Sequence, residues 1–143
     1  MTEINHAEAA RIQKKTGAYI DELRHAMDLS HWEINVKVVE HPGDLEEGLG
    51  YVDTHPHRLL ADIEIQLDLA RRGGSDLRQT VCHELVHLHH RRTWDLVRLT
   101  LPGPLGFGYD LFWEPFRQSV EEFTDSIATA WAETLPLPSW EEN

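Results

Sequence analysis

Residues 83–87 read His-Glu-Leu-Val-His. On a helix the two histidines, four positions apart, lie one turn above the other on a common face. Both imidazoles can then reach a single divalent ion through bonds of about 2 Å. Glu84 adjoins that face and can hydrogen-bond to a water held by the metal. Zinc lowers the pKa of such a water towards about 7, and a neighbouring carboxylate takes its proton as the oxygen attacks a carbonyl. The pattern is short and the chain holds ten histidines, so context must carry part of the weight. Val81, Leu85, Val86 and Leu88 give the segment an apolar packing surface, and a breaker, Arg71-Arg72-Gly73-Gly74-Ser75, precedes it. The plainer alternative is an amphipathic helix with surface histidines.

Two histidines leave the ion short of a third protein ligand. One known arrangement, that of the metzincins, places a glycine three residues and a histidine six residues after the second histidine. Those positions hold His90 and Thr93, which excludes it. Another arrangement uses Glu-x-x-x-Asp on a later helix, and Glu121 and Asp125 have that spacing. Glu121 would bind the metal, and Asp125 would accept a hydrogen bond from a ligand histidine and fix its tautomer. Glu122 competes for the ligand role, with Ser126 one turn on as a weaker orienting group. Both glutamates also read as a solvated acidic pair. The face Glu121, Thr124, Asp125, Ala128, Ala132 is small and polar, suited to lying close to another helix, while Val120, Phe123 and Ile127 point to a greasier one.

The combination resembles the gluzincins, the HExxH-plus-glutamate class of zinc metallopeptidases, in their smallest form, similar to small peptidases of bacteria and phages. The resemblance covers about residues 10–134, although only His83, Glu84, His87, Glu121 and Asp125 are motif-specific. It implies a zincin-like domain with an N-terminal helix, a short mixed sheet, the HExxH helix and a glutamate helix. It makes His83, His87 and Glu121 ligands of one Zn²⁺ per chain and Glu84 the general base. It also implies that the strand before the metal helix, Leu59–Leu67, is a sheet edge that binds an extended peptide by strand addition. Many members stabilise the oxyanion with a Tyr, His or Arg. No motif fixes that residue here, and Tyr109, in the stretch between the two key helices, is the candidate, against a role in packing the loop. His90 shares the histidine face, but about 10 Å of helix rise separates it from His83, which leaves it a substrate-side residue or an ordinary helix-end histidine. Cys82 points about 100° away from His83 and reads as a small core residue.

Positioning these residues takes an α+β domain. Residues 5–29 predict an amphipathic helix, with Ile12, Tyr19, Ile20, Leu23 and Met27 at helical spacing. Residues 32–40 alternate, with Trp32, Ile34, Val36 and Val38 on one face. Pro42-Gly43 marks a turn, 48–54 a short second strand and His55-Pro56-His57 a further turn. Residues 59–67 alternate again, with Leu59, Ala61, Ile63, Ile65 and Leu67 facing one way and Asp62, Glu64 and Gln66 the other. Ser75 is the expected N-cap of a helix from about 76 to past 90. Prolines and glycines make 101–110 a loop, and a last helix spans about 114–134 with Pro115 in its first turn. Residues 136–143 read as a loose tail. Trp113 and Phe112, beside the loop, are candidates for a hydrophobic specificity pocket.

The 143 residues suit one domain, and 41% hydrophobic residues suffice for a core. A single cysteine excludes an internal disulfide framework. No apolar run approaches a membrane span and no signal pattern opens the chain, so a cytoplasmic protein without a membrane partner is expected. A net charge of −12 with only scattered basic pairs argues against a nucleic-acid partner, and against the DNA-associated proteases that also carry HExxH. The partner expected is a peptide or protein substrate. The competing reading is a binding or regulatory protein on the same scaffold with little or no turnover. The intact Glu84 argues against it, and the missing oxyanion residue argues mildly for it. A metal-dependent ribonuclease built on three histidines ranks low, because Thr93 stands where its last histidine belongs.

Overall fold

The computed structural model describes residues 5–55 and 57–141. Pro56, in the expected second turn, residues 1–4, and the last two residues of the expected tail fall outside that range. Among the described residues there are six α-helices and one three-stranded mixed sheet, an α+β arrangement. None of these helices is long and apolar enough to cross a membrane.

Helix α1, His6–Ala26, opens on Asn5, whose side chain accepts the Glu8 N–H at 2.8 Å. Its helical stripe buries Ile12, Tyr19, Ile20 and Leu23. Strand β1, Glu33–Val39, follows, then a single 3₁₀ turn at Pro42–Asp44 and strand β2, Gly50–Thr54. Strand β3, Leu60–Gln66, returns between the other two, parallel to β1 and antiparallel to β2. Val36 and Val52 therefore flank Ile63 from either side. Ala61, Ile63 and Ile65 are fully buried against the helices, each isoleucine contributing about 1.5–3 kcal/mol. The expectation that the strand at 59–67 is a sheet edge is corrected by this order, since β3 is central and β2 is an edge. Leu59 is half exposed ahead of the strand, and Leu67 begins the next helix.

Helix α2, Leu67–Arg72, ends at Gly73, and helix α3 runs Gly74–His89. Gly73 and Gly74 both have positive φ, +66° and +68°, so the break needs glycine. Gly73, not Ser75, occupies the N-cap position, and Ser75 lies in the first turn. The chain then kinks at His90 into helix α4, Arg91–Thr100. Residues 101–110, expected as a loop, hold the short helix α5, Pro102–Leu105, and the start of helix α6, Gly108–Ala132. Pro115 therefore lies inside α6 rather than in its first turn. An interior proline ordinarily costs about 3 kcal/mol. Aromatic packing offsets it here: Trp94 of α4 meets Trp113 at 4.9 Å and Phe116 at 6.0 Å, and Phe112 stacks on Phe116 at 5.4 Å.

The expected loose tail is docked up to Glu141. The Tyr19 hydroxyl donates to Pro136 O at 2.8 Å, and the Trp140 indole N–H donates to Ala70 O at 2.9 Å. Lys15 lies over the Trp140 ring, and Glu141 bridges to Gly73.

Candidate metal centre

α3 puts its apolar positions into the core, with Leu77, Val81 and Leu85 fully buried. That orientation leaves His83 and His87 on the flank that faces α6, their rings 5.0 Å apart. α6 approaches α3 through small residues, Thr124, Ala128 and Ala132, all buried. The Cys82 thiol, itself fully buried, reaches Ala128 O at 3.6 Å. Burial pushes that thiol up to about 11, so it stays protonated.

This close approach brings Glu121 between the two imidazoles. Its Oε2 lies 3.3 Å from His83 Nε2 and its Oε1 lies 3.2 Å from His87 Nε2. Asp125, one turn on, stands 3.1 Å from His83 Nδ1. With Nδ1–H donated to Asp125, Nε2 is the atom that would offer its lone pair to a metal once its own proton, shared here with Glu121, is given up. Hydrogen bonds from both histidines hold the Glu121 carboxyl well below the usual carboxylate range despite partial burial. The same contact with Glu121 raises the His83 pKa, against the opposing effect of burial. Glu122 takes no part in the cluster, which consists of His83, His87 and Glu121.

These three residues fit a divalent ion. A tetrahedral ion with bonds of about 2.0–2.1 Å has ligand atoms about 3.3 Å apart. One donor atom from each of the three residues falls within a 4.8 Å span, so a modest contraction brings them to that edge. Two imidazoles and one carboxylate are a donor set suited to zinc.

Glu84 is 7% exposed, and burial raises its pKa, with His87 and His83 opposing and Glu121 adding to the rise. It faces β2, where Gly50 lets the strand come close: a Cβ there would stand 3.0 Å from Glu84 Oε1. Together these elements enclose a cleft of about 500 Å³, with Gly50–Thr54 on one side and Trp94, Arg98 and Arg117 among the residues opposite.

His90 lines this cleft too, but its ring is committed. The Thr124 hydroxyl donates to Val120 O at 2.7 Å and so accepts from His90 Nε2–H at 2.9 Å. Burial and the neighbouring His87 bring the His90 pKa down to about 4. Tyr109 is not brought to the site. It sits in the first turn of α6 with its ring stacked on Trp113 at 5.6 Å, and it is absent from the cleft lining. Trp113 and Phe112 likewise belong to the aromatic packing between α4 and α6, and the aromatic side chains lining the cleft are Tyr51, Trp94 and the histidines. Sequence reasoning did not find Gly50, Tyr51, Arg98 or Arg117. Only Gly50 carried a signal, as a glycine within a strand pattern, which marks a close approach.

Comparison of the chain with protein-family models, with curated proteins and with solved structures finds no match.

Proposed function

We propose that this protein is a small zinc-dependent peptidase of the gluzincin type. The observation that carries the reading is the placement of Glu121 between the Nε2 atoms of His83 and His87, with Glu84 buried beside them. When bound, zinc would polarise the substrate carbonyl and acidify a water beside it. His83, His87 and Glu121 would hold the ion, and Asp125 would orient His83 through Nδ1. Glu84, its pKa raised by burial, is suited to take up a proton from that water and return it to the departing amine. The free edge of β2 offers backbone groups to an extended peptide, in place of the edge first expected at 59–67. Tyr109 has no part in this scheme.

The test is elemental analysis joined to a peptide-library digest. Wild type should carry about one zinc per chain and His87→Ala none. Glu84→Gln should keep the metal and lose hydrolysis by about 10²-fold or more. Turnover at the wild-type rate in Glu84→Gln would overturn the mechanism.

A further inference from the structure

We propose that Arg98 makes the cleft that holds the metal centre selective for peptides that carry a carboxylate. The inference rests on the peptidase reading for the peptide nature of the occupant. Three arginines line the cleft, Arg91, Arg98 and Arg117, in a chain with 25 acidic and 13 basic residues. Their commitments differ. Arg91 is spent within the fold: it donates to Arg58 O at 2.8 Å and to His55 O, and it pairs with Asp95, fastening α4 to the connection between β2 and β3. Arg117 is held by Glu114 through two contacts, at 3.2 and 2.6 Å.

Arg98 has no comparable partner among the described residues. Its ion pair is with Asp95 Oδ1 at 3.7 Å, beyond hydrogen-bond reach, while the other oxygen of Asp95, Oδ2, pairs with Arg91. Its buried Nε–H finds no acceptor. Its side chain is 39% exposed at the cleft wall. It is near enough to Tyr51 on the facing strand to act on that hydroxyl, lowering its pKa against the stronger effect of burial. A guanidinium is a planar fork that matches a carboxylate through two parallel hydrogen bonds. In a partly enclosed cleft such a pair is screened less than on open surface. Glu84 and Glu121 lie at the metal position and Asp53 lies on β2, so the cation of Arg98 is the complement offered to an incoming anion. The long-range field of this acidic chain repels acidic peptides, so recognition must come from such a local contact. The carboxylate can be an acidic side chain or a chain terminus.

Binding to the zinc-loaded Glu84→Gln chain tests this without turnover. The probes are fluorescein-labelled, C-terminally amidated peptides with one Asp moved along the sequence, the Asn counterparts, and the Asn peptides with a free C-terminus. Fluorescence anisotropy should show an Asp peptide or a free-terminus peptide bound about tenfold tighter than its neutral amidated counterpart. The arm that shows the gain names the source of the carboxylate. Adding Arg98→Gln should bring that ratio to about one, Arg98→Lys should restore part of it, and Arg117→Gln should keep it, all with zinc content preserved. Equal binding of all three probe types, or a ratio that survives Arg98→Gln, would overturn the proposal. Its failure is separable from that of the peptidase reading. Cleavage by wild type with no carboxylate preference removes the role of Arg98 alone. Selective binding by a wild-type chain that never cleaves removes the hydrolase alone.

Discussion

An added methyl at Gly50 should perturb Glu84 without touching a ligand atom. Gly50 lies at the start of β2, and its φ is outside the left-handed region, so space and not backbone conformation demands glycine there. A Cβ would stand 2.8 Å from Thr80 Cγ2, 3.0 Å from Glu84 Oε1 and 3.2 Å from Glu84 Cγ. Thr80 and Glu84 are both buried, 9% and 7% exposed, so neither can swing freely into solvent. Relief therefore requires β2 and α3 to part by a few tenths of an ångström. Overpacking of this kind costs about 1–3 kcal/mol, equivalent to a fall in thermal midpoint of about 3–12 °C for a domain of this size. A misplacement of about 1 Å costs about 10²-fold in rate, so Gly50→Ala should lower kcat by about 3–10-fold while zinc content is unchanged. Calorimetry, metal analysis and peptide hydrolysis on the same preparation give the three numbers. Thr80→Ser removes the Cγ2 contact but leaves those to Glu84. The double variant should therefore recover midpoint by a coupling of about 0.5 kcal/mol or more, and its kcat should stay low. A Gly50→Ala protein with wild-type midpoint and wild-type rate would refute the reasoning.

Glu121→Ala should weaken zinc binding at least about 100-fold, as loss of a ligand exceeds the 10–100-fold cost of losing an outer partner, and Glu122→Ala should leave it within a few-fold; equal losses in a metal titration would move the ligand to Glu122. Trp140→Ala should cost about 2–4 kcal/mol in denaturant unfolding, near the lower range for a buried tryptophan, because the ring is tied to Ala70 O and packed on Tyr19 at 6.0 Å; a change under about 0.5 kcal/mol, the scale of an ordinary surface substitution, would mean that the tail is not docked. Cys82, fully buried, should resist a thiol reagent in the native protein and react once per chain in denaturant; immediate native labelling would contradict its placement between α3 and α6.

The parts of the site legible in the sequence are those set by spacing within one helix. His83 and His87 share a face because both lie on α3, and the same arithmetic relates Glu121 to Asp125 on α6. Glu121 and Glu122 both stayed open as ligands in the sequence, although Thr124, Ala128 and Ala132, all buried, mark the side on which a helix comes close, and that is the side of Glu121. The order of strands was not readable. Alternation along 59–67 reports which face of a sheet is wet, and a central strand of a sheet covered on one side alternates just as an edge strand does. Residues 101–110 misled through composition: prolines and glycines weaken helices on average, but aromatic contacts between α4 and α6 supply from outside the segment what local propensity withholds. The tail misled in the same way, because the partners of Trp140 are Ala70, Tyr19 and Lys15, all distant in sequence.

Bringing two imidazoles and two carboxylates from two helices into one small space beside a strand requires backbones closer than ordinary side chains allow. The chain meets that requirement with small residues at each approach: Gly50 where β2 meets Glu84, and Ala128 against Cys82 where α6 meets α3. Close approach alone would leave the polar groups costly to bury. Here each offsets another, since Glu121 accepts from both histidines and Asp125 accepts from His83. Those ion pairs gather the donor atoms of His83, His87 and Glu121 within 4.8 Å of one another. Metal binding would then exchange protons for the ion at groups already gathered by the fold, and much of the ordering cost of the site is met in folding rather than at binding.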